Sequence, residues 1–271
     1  GGPAEQFYIP ADLADLAAFL ATVPASTPVT FIGLGSNLLV RDGGVRGVVV
    51  ATSGALNGLA KIDAEHIRAE AGVASAKLAR FSVQQGFSGV EFLAGIPGTI
   101  GGALAMNAGA FGGETWPWIA QVETIDRFGV IRTRAAAEYR VGYRSVVAPA
   151  DEWFVAGIFR LHPLRDDGGG ALIKSLLAKR GATQPTQLPN AGSVFRNPPG
   201  DHAARLIEAA GLKGTREGRA CVSTLHANFI VNDGGASAAD IERLIARVRA
   251  SVHARFGVEL ETEVRTIGEP A

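Results

Sequence analysis

A chain of 271 residues that is 47% hydrophobic and 19% charged has material for a sizeable core, as one large domain or two to three small ones, which argues against disorder. Lys and Arg together number 26 and so do Asp and Glu, so no electrostatic footprint for nucleic acid or an anionic membrane is expected. The single cysteine, Cys221, rules out an internal disulfide framework and suits a reducing, cytoplasmic compartment; no apolar run approaches membrane-spanning length, and none reads as a signal peptide. Met106 is the only methionine, so Gly1 is not an initiator and a few native residues are expected before it.

Residues 11–23 read as a helix with Leu13, Leu16, Ala17 and Leu20 on one face. Residues 29–33 form a short apolar strand, residues 38–40 a second, and after the turn Asp42-Gly43-Gly44 residues 45–51 a return strand. Residues 67–73 are strand-like, and Ser75 is expected to cap a helix running to Gln85 and stopped by Gly86. Arg127-Phe128-Gly129 joins residues 122–126 to 130–133 in a hairpin, and residues 153–161 make another strand. Asp166-Asp167-Gly168-Gly169-Gly170 is the clearest linker, ahead of a helix over 171–180. Asp201 is expected to cap a helix that Gly211 ends. Ser237 and Asp240 form a capping box for a helix whose stripe, Ile241, Leu244, Ile245, Val248, Val252 and Phe256, is core packing rather than a cofactor box. The alternation from Val258 to Ile267 reads as a half-exposed strand. Helices and strands mix without regular βαβ alternation, so the fold class is α+β.

Residues 91–113 are the densest stretch for function. They hold seven glycines and no charge between Glu91 and Glu114. Glycine is the costliest residue to order, so such density marks a backbone that bends or approaches something closely. Pro97-Gly98 should turn the chain, and Thr99 to Gly102 should expose backbone N–H groups beside a hydroxyl, a concave site suited to a phosphate. A plain glycine-rich loop fits less well, because Phe92, Leu93, Ile96, Ile100, Leu104 and Met106 call for burial.

Gly33-Leu34-Gly35-Ser36-Asn37-Leu38 is no dinucleotide fingerprint, since Leu38 holds the third glycine position and a strand follows; no Walker A pattern exists either. Alone it reads as an ordinary turn, and beside a second glycine cradle a shared phosphate-bearing ligand competes with that reading. Ser193, in Asn190-Ala191-Gly192-Ser193-Val194-Phe195-Arg196-Asn197, sits in no nucleophile elbow. Either it is a turn serine, or its weakly acidic hydroxyl protonates a strongly basic carbanion or enolate. Arg144, between Tyr143 and Ser145, is either a solvated charge or a carboxylate clamp. Glu263 is either one of a solvated row or functional; Lys213 is either a helix-end lysine or a phosphate contact. His226 has no partner at metal-ligand spacing, and no metal is expected.

In combination and in this order, Gly1-Gly2-Pro3-Ala4, residues 33–39, 91–113, Tyr143-Arg144-Ser145, 190–198, 211–214, 226–232 and Glu263-Val264-Arg265 resemble the UDP-N-acetylenolpyruvoylglucosamine reductase family (MurB, UDP-N-acetylmuramate dehydrogenase). The resemblance implies the FAD-binding fold of the vanillyl-alcohol-oxidase/MurB type. It further implies a first FAD-binding subdomain over 1–52 with the tail 264–271, a second over 53–165, and a C-terminal α+β substrate-binding subdomain over 166–263. FAD contacts map onto Gly33, Gly35, Ser36, Asn37 and Leu38, onto Gly95, Ile96, Pro97, Gly98, Thr99, Ile100, Gly101 and Gly102, and onto Asn107 and Gly109.

The implied reaction has NADPH reduce FAD, after which the enolpyruvyl sugar nucleotide takes hydride at C3 and a proton at C2. Ser193 matches the family's proton donor, and Arg144 and Glu263 match residues that stabilise the enolic charge, Glu263 requiring a pKa raised by burial. Asn197, Lys213 and His226 match substrate contacts. Arg140 competes with Arg144. Only about 40 residues separate Tyr143 from Gln184-Pro185, so this is the short subtype without the tyrosine loop, and Arg180 or Gln184 is expected to help close the site. The chain is expected to be a monomer with no nucleic-acid or membrane partner. The alternatives are another FAD oxidase or dehydrogenase of the same fold, and a nucleotide-binding module without redox chemistry.

Overall fold

The computed structural model describes residues 1–165 and 168–271. Asp166 and Asp167 of the expected linker therefore lie outside the described residues; Gly168 is a turn and the helix Gly169–Thr183 follows. The chain falls into two compact units. The larger comprises Gln6–Leu34 and Gly47–Ala178, the second Gly1–Glu5, Gly35–Arg46 and Lys179–Ala271.

The larger unit is built on a five-stranded antiparallel sheet in the order Ile131–Ala135, Ile119–Asp126, Glu152–Arg160, His66–Glu70, Leu59–Lys61. The hairpin expected at Arg127-Phe128-Gly129 is there, with Ile125 opposite Ile131 and Gly129 at φ +80. Ile67, Leu78, Phe92, Leu93, Ile100, Leu104, Val122 and Phe159 share one core, which gathers the sheet, the helix Ser75–Gln84 and the glycine-rich segment. A separate core joins Leu16 and Leu20 of the helix Leu13–Thr22 to Val48, Val50, Ile125 and Val155. Val29–Ile32 pairs in parallel with residues 48–51, so 45–51 does not return against 38–40 as a hairpin. Ser75 is not a cap either: Ala74 takes that position, and the Ser75 hydroxyl is buried.

In the second unit the helix Ala238–Phe256 is specified by its ends. Ser237 Oγ accepts from Asp240 N–H at 3.0 Å, Asp240 Oδ2 accepts from Ser237 N–H at 3.1 Å, and Gly257 closes the helix at φ +67. Asp42, from the expected turn, adds a further cap through Ala238 N–H and Ala239 N–H, and these bonds hold its carboxyl below the usual carboxylate range. Leu244, Ile245, Val248 and Val252 bury the expected stripe, each contributing roughly 1.5–3 kcal/mol at most. They meet Phe195, Leu206, Val222, Leu260 and Val264 in the unit's core. Arg216–Glu217, Ala220–Val222 and Ile230–Asn232 form its three-stranded sheet. Of the expected tail strand only Arg265–Ile267 is in a ladder, parallel to Leu38–Val40; before it, Thr262 makes an isolated antiparallel bridge with Phe195. Asp201 does not cap the helix Ala203–Ala209: its N-cap position is His202, and Asn197 Oδ1 accepts from Ala203 N–H at 3.1 Å.

Candidate active site

In the larger unit the glycine-rich segment is a short 3-10 turn, Glu91–Gly95, followed by the helix Ile100–Met106. Thr99 pairs with Ala74 in an isolated antiparallel bridge, so Ile100 N–H donates to Val73 O and Gly101 N–H to Ala71 O, each at 2.9 Å. This corrects the expectation for the Ile100 and Gly101 amides, which are used by a neighbouring segment of the same unit. Gly101 is there for packing, since a Cβ would stand 2.9 Å from the Ala71 Cβ; Gly95 likewise faces the Phe111 ring at 2.4 Å.

Beside these amides the segment carries a buried hydroxyl. Thr99 is 2% exposed, and its Oγ1 has no hydrogen-bond partner among the described residues. A Cβ on Gly33 would lie 2.3 Å from that oxygen. A buried hydroxyl without a protein acceptor needs an explanation, and a phosphate oxygen is an acceptor. The Gly33–Thr99 surface therefore fits the FAD that the resemblance implies.

The same unit brings Arg144 to Asn107 and Gly109. Asn107, 1% exposed, ends the helix in the left-handed region at φ 43. Its Oδ1 accepts from Trp116 N–H at 3.1 Å, and its Nδ2 donates to Glu114 Oε2 at 2.9 Å and Gly142 O at 3.2 Å. Arg144 sits in the two-residue turn between Arg140–Gly142 and Ser145–Val147 at φ +52. Its Nη1 donates to Asn107 O at 3.3 Å and its Nη2 to Gly109 O at 2.6 Å, with the guanidinium over the Tyr143 ring. Arg140, by contrast, is exposed on its strand opposite Val147.

In the second unit four separate segments converge. Gly35 bends the chain at φ +68, and a Cβ on Gly192 would lie 3.6 Å from Ser36 O. Asn37 Nδ2 donates to Glu263 O at 3.0 Å, and Asn37 O accepts from Arg265 N–H at 2.9 Å, which starts the parallel pairing at Leu38. Glu263 N–H donates to Val194 O at 2.8 Å, placing Glu263 and Ser193 beside the same residue. Val194 N–H donates to Asn228 O, and the Asn228 side chain meets both backbone groups of Phe195. Ser193 and Glu263 are both half-buried.

Lys213 Nζ is 2.7 Å from Glu208 Oε1. His226 is half-buried; burial and then the Lys213 charge push its pKa below the ordinary 6.5. Its Nδ1 accepts from Asn228 N–H at 3.3 Å. Arg180 Nε donates to Gln184 Oε1 at 3.2 Å, joining the two residues expected to close the site, and burial lowers the Arg180 pKa. Asn228 was not among the candidates, although a polar residue inside the apolar run Ala227-Asn228-Phe229-Ile230 is the pattern of a buried, fully bonded side chain. Among the described residues no group of three or more His, Cys, Asp or Glu is arranged to hold a metal, and no helix is long and apolar enough to cross a membrane.

Residues 184–267 match the family described as UDP-N-acetylenolpyruvoylglucosamine reductase, C-terminal domain, and residues 4–134 match the family described as FAD binding domain. The UDP-N-acetylenolpyruvoylglucosamine reductase of Alkalilimnicola ehrlichii is 59% identical over 99% of this chain and 90% of its own. That of Methylococcus capsulatus is 57% identical over 99% and 88%. Among solved structures, UDP-N-acetylenolpyruvylglucosamine reductase (MurB) from Thermus caldophilus superposes with a TM-score of 0.80 at 31% identity, covering 97% of this chain and 92% of that one.

Proposed function

The chain belongs to the UDP-N-acetylenolpyruvoylglucosamine reductase family and is an FAD-dependent oxidoreductase, and we propose that it reduces the enolpyruvyl group of UDP-N-acetylglucosamine enolpyruvate to UDP-N-acetylmuramate with NADPH as reductant. The product serves peptidoglycan precursor synthesis, and the enzyme acts as a cytoplasmic monomer. Residues 1–52 with 264–271 and residues 53–165 carry the cofactor, and residues 166–263 the substrate.

FAD, when bound, supplies a hydride acceptor toward NADPH and a hydride donor, at N5, toward C3 of the enolpyruvyl group. Hydride at C3 leaves an electron pair at C2 that spreads into the adjoining carboxylate, and the protein acts on those positions. Arg144 meets the growing carboxylate charge with a planar guanidinium. Its anchorage to Asn107 O and Gly109 O supports this role over Arg140, because an arginine already held by backbone carbonyls loses less freedom on binding. Ser193 gives its hydroxyl proton to C2, a carbon basic enough to take it, and recovers a proton from water. Glu263 donates a hydrogen bond to the same enolic charge, a role that requires its carboxyl to carry a proton.

Thr99 Oγ1 and the turns at Gly33 and at Gly35, Ser36, Asn37 and Leu38 hold the flavin nucleotide. Lys213, His226, Asn197 and Arg180 hold the sugar nucleotide; its diphosphate draws Lys213 away from Glu208.

The observation that carries this reading is the hydrogen-bonded run from Asn37 through Glu263 to Val194, which joins the three segments to which this reading gives cofactor, charge and proton. The test is spectral. The holoenzyme should bleach with NADPH without oxygen and recolour on adding the enolpyruvyl nucleotide. Recolouring by oxygen with indifference to the nucleotide would instead indicate another FAD oxidase of this fold.

A further inference from the structure

Ser193 lies in a stretch that belongs to no helix or ladder, between Gly192 at φ +71 and the buried pair Val194-Phe195. A loop of that kind does not by itself hold a hydroxyl to within a fraction of an ångström. The two residues after Ser193 are held from both sides. On one side Val194 O accepts from Glu263 N–H at 2.8 Å. On the other side stands Asn228, distant in sequence and 4% exposed. Its backbone O accepts from Val194 N–H at 2.9 Å, its Oδ1 accepts from Phe195 N–H at 2.9 Å, and its Nδ2 donates to Phe195 O at 2.7 Å.

The carboxamide thus takes the place of a neighbouring strand, satisfying the donor and the acceptor of one buried residue at once. Phe195 itself is 2% exposed and packs in the unit's core, so the segment is pinned by its ring as well as its backbone. Asn228 is seated in its turn by Phe229 N–H donating to His226 O at 3.1 Å and by its own N–H on His226 Nδ1.

We propose that Asn228 is the positioning residue for the proton donor Ser193: its side-chain clamp on Phe195 sets where the Ser193 hydroxyl stands without itself touching substrate. The proposal rests on the reaction assigned above. It sets Asn228 apart from an ordinary core residue, since the effect of losing it falls on one half of the reaction.

The test uses the FAD-loaded full chain carrying Asn228→Ala. Flavin reduction by NADPH should change less than about twofold, while reoxidation by the enolpyruvyl nucleotide slows about a hundredfold, the loss that a displacement of about 1 Å brings. KM for the nucleotide should move little, so the loss falls on kcat. Independently of turnover, amide hydrogen exchange at Phe195 should rise at least about tenfold, with Ile245 in the helix Ala238–Phe256 unchanged.

Should Asn228→Ala fail to fold, Asn228→Asp keeps an acceptor for Phe195 N–H and replaces the donor to Phe195 O by a carboxylate oxygen. It should show the same selective loss at about a tenfold level. Equal slowing of both half-reactions, or wild-type reoxidation with Phe195 exchange accelerated, would overturn the proposal. Unchanged exchange at Phe195 would overturn the clamp itself. A wild-type enzyme indifferent to the nucleotide would sink the assigned reaction instead, so the two failures are distinguishable.

Discussion

The two units build their candidate surfaces by different means. In the larger unit the glycine-rich segment relies chiefly on the backbone, with glycines that let segments touch and a buried Thr99 hydroxyl that has no acceptor among the described residues, while the Asn107 carboxamide ties its end to Trp116 and Gly142. In the second unit the means is side-chain carboxamides, Asn37 and Asn228, cross-linking segments that are far apart in sequence. A backbone-built surface announces itself as glycine density. A surface built by side-chain cross-links leaves only isolated polar residues, each of which reads as a turn residue when taken alone.

The sharpest test of that contrast removes a charge anchored by backbone. Arg144→Ala should slow reoxidation by the nucleotide about 10²–10³-fold, as loss of a preorganised charge stabiliser does, whereas Arg140→Ala should leave it within about twofold. Stopped-flow traces of the visible absorbance of the oxidised flavin read both variants. Equal effects would remove the distinction between the anchored and the exposed arginine.

Thr99→Val comes next. It replaces an unpaired buried hydroxyl by a methyl, so the flavin-free protein should melt no lower than wild type. Flavin affinity should fall about tenfold, one lost hydrogen bond to a charged group. A loss of flavin-free stability would mean that the hydroxyl serves the fold instead.

Much of the architecture was legible in the sequence, and the limits are physical. The helix Ala238–Phe256 was readable with both caps, because a capping box, a hydrophobic stripe and a terminal glycine are all local signals. The hairpin at Arg127-Phe128-Gly129 was readable for the same reason. Partners distant in sequence were not. Residues 38–40 pair with Arg265–Ile267 and not with the strand just after them, and nothing near Leu38 encodes that choice. The alternation before Arg265 describes extended chain equally well with or without a ladder. Ser75 and Asp201 carried capping chemistry, yet Ala74 and His202 took the N-cap positions.

At the candidate site, glycine density pointed to residues 91–113, but it did not tell ligand-facing glycines from those admitting a neighbouring chain at Ala71 and Phe111. Asn228 stayed hidden because its partner Phe195 is 33 residues away.

Two smaller effects refine the side-chain half of the comparison. Asn37→Ala removes the donor to Glu263 O and should cost about 1 kcal/mol, a fall in Tm of about 2–4 °C. A larger drop would show that this tie carries more than one bond. His226 has a folded pKa below its unfolded 6.5, so the unfolded state binds the proton first as pH falls. Its contribution is therefore present above 6.5 and lost as pH drops through the folded pKa. His226→Gln should flatten the slope of stability against pH just below 6.5; an unchanged slope would place that titration elsewhere.

The most direct measurement is a double-mixing experiment on Ser193→Ala holoenzyme, bleached by NADPH and then given the enolpyruvyl nucleotide without oxygen. The account predicts bleaching at the wild-type rate and recolouring slowed by at least about 10²-fold, the share of a general acid. Recolouring at the wild-type rate, or a matching loss in both phases, would contradict it.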